Sequence, residues 1–144
     1  MKRKLLTTFL FLAFLLPAFS QNAAEIENIL DTKEITFEQA VYFTLAAALD
    51  IPRNQAFAHA VQNGWLPKAA RSTNPITLSS LSLLVMKAFD IKGGMMYRIT
   101  GSRRYAFREM KYRDFITGRV YPNQKVSGEQ FLQILSTAIM ENEQ

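Results

Sequence analysis

One short motif occurs three times in the chain and constrains the fold more than any other feature. It reads ITFEQA at 35–40, ITLSSL at 76–81 and VSGEQF at 126–131. In each copy a β-branched residue precedes a Ser or Thr, whose hydroxyl can accept a hydrogen bond from a free backbone N–H of a first helical turn. The residue before the cap and the fourth helical residue have the spacing of a hydrophobic staple. The motif therefore predicts helices capped by Thr36, Thr77 and Ser127.

The third residue after each cap differs between the copies. Gln39 and Gln130 have the side chain that a capping box needs, whereas Ser80 is too short to do this well. The segments that follow at 40–49 and 81–89 are apolar nearly all round, which is typical of central helices. The third long helix has one apolar stripe, made of Phe131, Ile134, Leu135 and Ala138.

Shorter helical patterns precede the long ones and are separated from them by turn-rich connectors. They cover 23–30, 54–65 and 103–115. Glycines favour helix ends, and here they predict the end of the middle short helix at Gly64 and of the second long helix at Gly93 and Gly94. The connectors at 91–102 and 117–125 have room for only a residue or two of strand, around Tyr97–Thr100 or Arg119–Tyr121.

The sequence thus predicts an all-α fold of three helix–loop–helix units, at about 23–49, 54–90 and 103–141, packed around a central bundle of the three longer helices. The caps lie 41 and then 50 residues apart, and repeats of this period are typical of units that need neighbours to bury an apolar face. The alternative is coincidence, because a Ser or Thr with Gln three residues on is common at helix starts.

The first 20 residues have the layout of a cleavable secretory signal. A basic start at residues 2–4 precedes an apolar run at 5–18 and small residues before a predicted cut after Ser20. An uncleaved anchor is the alternative, but the apolar run is shorter than the roughly 20 residues that span a bilayer. Residues 21–144 would then form a single all-α domain of the periplasm or cell envelope. That mature chain has no predicted transmembrane segment, and without cysteine it has no disulfide.

The second and third units also share a loop pattern of a turn glycine, an aromatic or apolar residue, and a proline before the cap. The pattern is Gly64-Trp65-Leu66-Pro67 before Ile76-Thr77, and Gly118 with Tyr121-Pro122 before Val126-Ser127. The first unit matches only at Ile35-Thr36. These units resemble the S-layer homology repeat over most of the mature chain.

That resemblance implies a three-pronged all-α module with its three longer helices in a central bundle. It also implies non-covalent attachment to an anionic cell-wall polysaccharide in grooves between the units. The family's motif Arg and Glu are replaced in all three copies, the Arg by Phe37, Leu78 and Gly128, and the Glu by Gln39, Ser80 and Gln130. The resemblance therefore carries over the architecture better than the ligand.

Basic residues are concentrated in one block of the chain. The formal net charge is +5, but three of the basic residues lie in the predicted signal. Residues 92–125 contain nine Lys or Arg and two Asp or Glu, whereas residues 21–91 contain five and seven. Residues 126–144 contain three acidic residues and no basic one. A block of this kind bears on partners rather than on fold.

Within the block, a helix from 103 to 113 places Arg104, Arg108 and Lys111 on one stripe, with tyrosines about a quarter turn away. Ala106, Phe107 and Met110 face the other side of this helix. Arginine binds carboxylate or phosphate with two parallel hydrogen bonds, and tyrosine stacks on sugar rings or cations. The alternative is a solvated face whose charges pair with Glu109, Asp114 and the acidic C-terminus. This chemistry suits an acidic glycan, a lipid headgroup or an acidic protein. The predicted anionic-ligand residues are Arg104, Arg108, Lys111, Arg119, Tyr105 and Tyr112.

A second candidate surface is apolar, and it consists of Met95, Met96 and Tyr97, together with Trp65. The alternatives are that the methionines fill a gap under a loop and that Trp65 packs in the core. His59 is the only histidine and has no partners at metal-ligand spacing, so no metal site is predicted. No nucleophile, phosphate-loop or calcium-loop motif occurs, so neither an enzyme nor a cofactor is predicted.

The sequence favours a non-enzymatic, exported binding or scaffolding module that attaches to an anionic envelope glycan or an acidic envelope protein. The first alternative is a protein–protein adaptor subunit of an envelope complex that uses the apolar surface. A small glycan-cleaving enzyme is a weaker alternative, because carboxylates paired only in space are invisible in sequence. Basic blocks also bind nucleic acid, but export makes nucleic acid a poor candidate here.

Overall fold

The computed structural model describes residues 23–144, which form seven α-helices and no β-strand. The all-α prediction is confirmed for this part of the chain, whereas the predicted signal at 1–20 lies outside the described residues. Within 23–144 no helix is both long and apolar enough to cross a bilayer. The helices are α1 (23–30), α2 (Phe37–Leu49), α3 (Arg53–Gln62), α4 (Leu78–Ala88), α5 (Met95–Thr100), α6 (Arg103–Tyr112) and α7 (Gly128–Asn142).

The three predicted caps all form. In each, the hydroxyl accepts a hydrogen bond from the backbone N–H three residues on, at 3.3, 3.4 and 3.2 Å in chain order. Thr36 also forms the full capping box, since Gln39 Oε1 accepts from the Thr36 N–H at 3.0 Å. The box predicted at Ser127 is only half formed among the described residues. Gln130 instead lines a shallow surface groove beside Gln124.

Three backbone hydrogen bonds join the residues just before the caps into a closed ring, which we call the junction. The Ile35 N–H donates to Val126 O at 2.8 Å, the Ile76 N–H to Ile35 O at 2.8 Å, and the Val126 N–H to Ile76 O at 3.3 Å. All three residues are fully buried. An unpaired backbone N–H at such a depth would be costly, and the ring satisfies three of them at the point where the long helices begin.

The first N–H of each long helix is paired in a similar way, with a carbonyl from the approach to another long helix. These three bonds, each 2.8 or 2.9 Å long, join Phe37 to Asn74, Leu78 to Gln124, and Gly128 to Thr32. They satisfy N–H groups that a helix cannot pair internally. The third contact requires glycine, because a Cβ at Gly128 would lie 1.5 Å from Ile29 O.

Helix α4 is the centre of the fold. Ten of its eleven residues are buried, and it packs against α6 and α2. The expectation of a helix buried nearly all round is therefore confirmed for α4. It is wrong for α2, which packs on α3, α4 and α7 but leaves Ala47 and Leu49 exposed. The reason is that Ala47 borders an open groove beside α7, whereas Leu49 is the last residue of the helix.

The connector at 91–102 differs most from the sequence prediction, because it contains the helix α5. The suggestion of strand at Tyr97–Thr100 is wrong, and Arg119–Tyr121 is loop. Burial of the Tyr97 ring against the core fixes the segment as one and a half turns of helix, which ends at Gly101 with φ of 57°. Tertiary packing thus decides a segment whose short apolar pattern is ambiguous.

Glycines were predicted to end both α3 and α4, but a glycine ends only α3. Gly64 ends α3 with φ of 69°, as expected. However, α4 turns at Asp90, with φ of 52°, and not at Gly93 or Gly94. Asp50 follows α2 in the same conformation, with φ of 53°. Aspartate tolerates this left-handed region because its short side chain bonds locally, so a glycine is not needed there.

Candidate anionic-ligand cleft between α5 and α6

A surface cleft of about 650 Å³ lies between α5 and α6. It brings together two sets of residues that the sequence analysis treated separately, the cations and tyrosines of the basic stripe and the Met-Met-Tyr segment. We call it the α5–α6 cleft. Its lining residues are Gly94, Met95, Met96 and Tyr97 from the α5 side, and Tyr105, Arg108, Glu109, Lys111 and Tyr112 from α6.

The orientation of α6 follows from its buried face. Ala106, Phe107 and Met110 are buried where α6 packs on α4, as the sequence predicted. The opposite face must then meet solvent, and Arg108 and Tyr112 are exposed there. The helix starts at Ser102, whose hydroxyl accepts from the Tyr105 N–H at 3.4 Å. The cations of the cleft therefore stand on a helix anchored by the core.

Helix α5 is held in place by Tyr97 and by a bond from α6. The Tyr97 ring is 8% exposed and lies so close to Gly93 that a Cβ there would be 2.4 Å from Tyr97 Cδ1. Burial raises the pKa of the Tyr97 hydroxyl, and the charge of Asp90 raises it further. Glu109 Oε2 on α6 accepts from the Gly94 N–H at 3.0 Å. These contacts fix the spacing between the two walls of the cleft.

The electrostatic balance of the cleft is positive. Glu109 is the only carboxylate among its described lining residues, and it already bonds Gly94 and lies 3.6 Å from Arg113 Nε. Arg108 and Lys111 form no ion pair within residues 23–144. The Arg108 guanidinium carbon lies 5.7 Å from the Tyr105 ring centroid, and Lys111 Nζ donates to Gly118 O at 3.2 Å. Two cations thus face the cleft without a carboxylate partner in this part of the chain.

Three of the predicted site residues do not line the cleft. Arg104 is exposed one turn before Arg108 on α6, so it extends the basic surface beyond the cleft. Arg119 is exposed in the loop directly after Gly118. Trp65 lies elsewhere, half-buried against the core, with its ring centroid 5.4 Å from that of His59. Its position matches the alternative that the tryptophan packs in the core.

Ile99 was not among the residues predicted from the sequence. This residue is 73% exposed, one helical turn after Met95, which is 72% exposed. The i, i+4 spacing that places both side chains on one face of a helix was present in the sequence, but it becomes informative only once 95–100 is known to be helical.

A second concave surface lies between α2 and α7. This groove, of about 490 Å³, is lined largely by apolar residues such as Ile26, Phe43 and Met140, and among the described residues it includes one carboxylate, Glu25, and no Lys or Arg. We call it the α2–α7 groove. No group of three or more His, Asp or Glu residues within 23–144 is arranged to hold a metal ion.

Comparison of the chain with protein-family models, with curated proteins and with solved structures finds no match. The resemblance to the S-layer homology repeat therefore stays a prediction.

Proposed function

We propose that the protein is a non-enzymatic binding module of the cell envelope, exported by its N-terminal signal, that holds an anionic group of an envelope glycan in the α5–α6 cleft. The observation that supports this most is the pair of cations, Arg108 and Lys111, which face a concave surface without a carboxylate partner among residues 23–144. A ligand with a phosphate or carboxylate supplies the missing charge.

The cleft offers distinct contacts to each part of such a ligand. Arg108 can bind one anionic group with two parallel hydrogen bonds, whereas Lys111 acts as a point charge after giving up its bond to Gly118. Tyr105 and Tyr112 line the cleft and can stack on the sugar. The volume of about 650 Å³ lies within the range of roughly 300–1,000 Å³ that is common for small-ligand sites.

The architecture that we propose for the module is the three-unit arrangement implied by the cap motifs and by the resemblance to the S-layer homology repeat. The junction supports it, because each cap motif contributes one donor and one acceptor to the ring. The aspartates after α2 and α4 support it as well, since Asp50-Ile51 and Asp90-Ile91 occupy the same place after two long helices. In this arrangement α6 is the short helix of the third unit, and α5 lies in the connector between the second and third units.

A protein–protein adaptor is the second candidate function, and the exposure of Met95 and Ile99 favours it. An acidic or apolar protein could cover these side chains as well as the cations. Salt distinguishes the two functions, because screening weakens recognition of an anion by exposed cations and leaves an apolar interface nearly unchanged.

The proposed function is tested by binding of the purified protein to polygalacturonate, a soluble polyanionic glycan, at increasing salt. The variant R108E/K111E reverses both cleft cations, and K68E/R71E makes the same change of charge at exposed positions of the loop 66–75, outside the cleft. We expect R108E/K111E to weaken binding by at least about tenfold and K68E/R71E to have little effect. Equal losses from both variants would show that only net charge matters and would overturn the site.

A further inference from the structure

The outer face of α5 is an apolar ridge that stands in solvent. Met95 and Ile99 are 72% and 73% exposed, and Met96 between them is 47% exposed. The inward side chain of the same helix, Tyr97, is buried. Helix α5 thus has apolar side chains on its solvent side as well as on its core side, and among the described residues Met95 and Ile99 are left largely uncovered. We call Met95, Met96 and Ile99 the α5 ridge.

The ridge adjoins cations rather than standing alone. Met95 and Met96 line the same cleft as Arg108 and Lys111, and Tyr112 on the opposite wall is 86% exposed. Two further cations, Arg98 within α5 and Arg104 on α6, are exposed beside them. Overall, the segment 92–125 contains nine basic and two acidic residues, and one of those acids, Glu109, is already bonded to Gly94 and paired with Arg113.

This combination fits a lipid surface better than a free polysaccharide. A hydrated glycan would satisfy the cations and tyrosines but would leave the methionines and Ile99 in water. At a bilayer surface, apolar side chains enter the zone below the headgroups, tyrosines lie at headgroup level, and basic side chains meet anionic phosphates. Each of the three kinds of residue on this face has a place in that arrangement.

We propose that the α5 ridge docks the protein onto a membrane surface whose lipids carry anionic headgroups, with the headgroup phosphate in the α5–α6 cleft. This inference rests on the proposed function in that the α5–α6 cleft holds an anionic group, and it adds a lipid headgroup phosphate to the envelope glycan as a source of that group. The six residues of α5 span only about 9 Å, so the helix lies in the headgroup region and does not cross the bilayer. Membrane contact is thus peripheral and depends on both apolar and charged residues.

The docking is tested with a fluorescent reporter on the ridge. The variant W65F/M95W moves the only tryptophan to the ridge, and W65F/V61W places it at an exposed position of α3 outside the cleft. Both are mixed with vesicles of phosphatidylcholine alone, or of equal parts phosphatidylcholine and phosphatidylglycerol that include brominated lipid. The two variants carry the same N-terminus, so a difference between them reports the ridge itself.

We expect the tryptophan at position 95 to shift its emission to the blue and to be quenched with the anionic vesicles, while the tryptophan at position 61 does neither. Replacement of the ridge in M95S/I99S should lower the partition of the otherwise native protein into anionic vesicles by about tenfold. Unchanged emission at position 95 would overturn the docking.

The experiments distinguish a failure of the lipid docking from a failure of the proposed glycan binding. If position 95 does not respond to vesicles but binding to polygalacturonate still depends on Arg108 and Lys111, the lipid inference is wrong and the glycan function stands. If neither vesicles nor polygalacturonate bind, both are wrong. A wall polymer alone as ligand is therefore a distinct outcome of the experiment.

Discussion

The junction and the α5–α6 cleft differ in how their polar groups are paired. At the junction, the N–H groups of Ile35, Ile76 and Val126 each meet a carbonyl of the same ring, and all three residues are fully buried. At the cleft, Arg108 and Lys111 face outward with no ion pair among the described residues. A satisfied buried network stabilises a fold, whereas exposed charge without a partner contributes little to stability and can bind an external ligand.

The comparison implies that stability and binding can be changed separately. Substitutions at the junction should lower the free energy of unfolding, and substitutions of the cleft cations should lower affinity alone. The α2–α7 groove is a useful comparison for the cleft. It is also concave, but it is apolar and includes no basic residue among its described lining residues. Concave shape is common to both surfaces, so positive charge is the feature on which we base the proposed anion site in the α5–α6 cleft.

The largest effect on stability is expected from Gly128→Ala at the start of α7. The new Cβ would lie 1.5 Å from Ile29 O, so either α1 or the first turn of α7 must move and the bond from Gly128 to Thr32 is lost. We expect the free energy of unfolding to fall by about 2–3 kcal/mol, measured by urea denaturation. Ser136→Ala, at an exposed position of the same helix, is the control. An unchanged midpoint for Gly128→Ala would contradict the close packing of α1 and α7.

Gly93→Ala should lower both the stability of the fold and the affinity of the cleft. Its Cβ would lie 2.4 Å from Tyr97 Cδ1, so the ring must move and α5 with it. We expect a loss of about 1–2 kcal/mol in unfolding free energy together with weaker binding of polygalacturonate. Gly94→Ala is a matched control, because its Cβ would meet only the flexible Glu109 carboxylate, at 3.2 Å. Should both variants behave alike, the packing of Tyr97 on Gly93 does not set the shape of the cleft.

Removal of one cap should have a smaller effect, confined to stability. Thr36→Ala removes the hydroxyl that accepts from the Gln39 N–H and should cost about 1 kcal/mol of unfolding free energy. Thr137→Ala is the natural comparison, since its hydroxyl bonds Gln133 O within α7 and is exposed. Calorimetric melting temperatures report both. A cost for Thr137→Ala as large as that for Thr36→Ala would mean that the cap has no special role.

The smallest expected effect is the pH dependence contributed by Tyr97. Its pKa is raised by burial from the usual value of 10.0, so above pH 10 the unfolded chain loses this proton before the folded protein does. Stability from this group is therefore fully present below pH 10 and is lost as the pH rises through the folded pKa. Between about pH 9 and pH 11, the unfolding midpoint of Tyr97→Phe should fall less than that of the wild type. Parallel curves would contradict the burial of the hydroxyl.

The parts of the fold that depend on local sequence could be predicted, and those that depend on tertiary contact could not. Thr36, Thr77 and Ser127 cap their helices through atoms within three residues, so the motif alone was sufficient. The buried face of α6 followed from helical spacing in the same way. In contrast, α5 depends on the packing of Tyr97 against the core, which is built from other segments, so the sequence of 91–102 alone does not indicate it.

The candidate site also combines features that local sequence predicts with features that depend on tertiary contact. The stripe of Arg104, Arg108 and Lys111 was visible in the sequence, because it lies on one helix. The contact of this stripe with Met95 and Met96 was not visible, because the two segments meet only when both α5 and α6 are in place. The bond from the Gly94 N–H to Glu109 links residues fifteen positions apart. Arg119 is exposed in the loop after Gly118 and does not line the cleft, so its part in ligand binding stays a prediction.

The most direct test of the central claim, that the two cleft cations bind an anionic ligand, is a titration of the protein with polygalacturonate followed by nuclear magnetic resonance. The methyl groups of Met95 and Met96 report the cleft, and those of Ile26 and Met140 report the α2–α7 groove. We predict saturable shifts at Met95 and Met96 that disappear in R108E/K111E and persist in K68E/R71E. Shifts at Ile26 and Met140 with none at Met95 and Met96, or shifts that survive in R108E/K111E, would contradict the account.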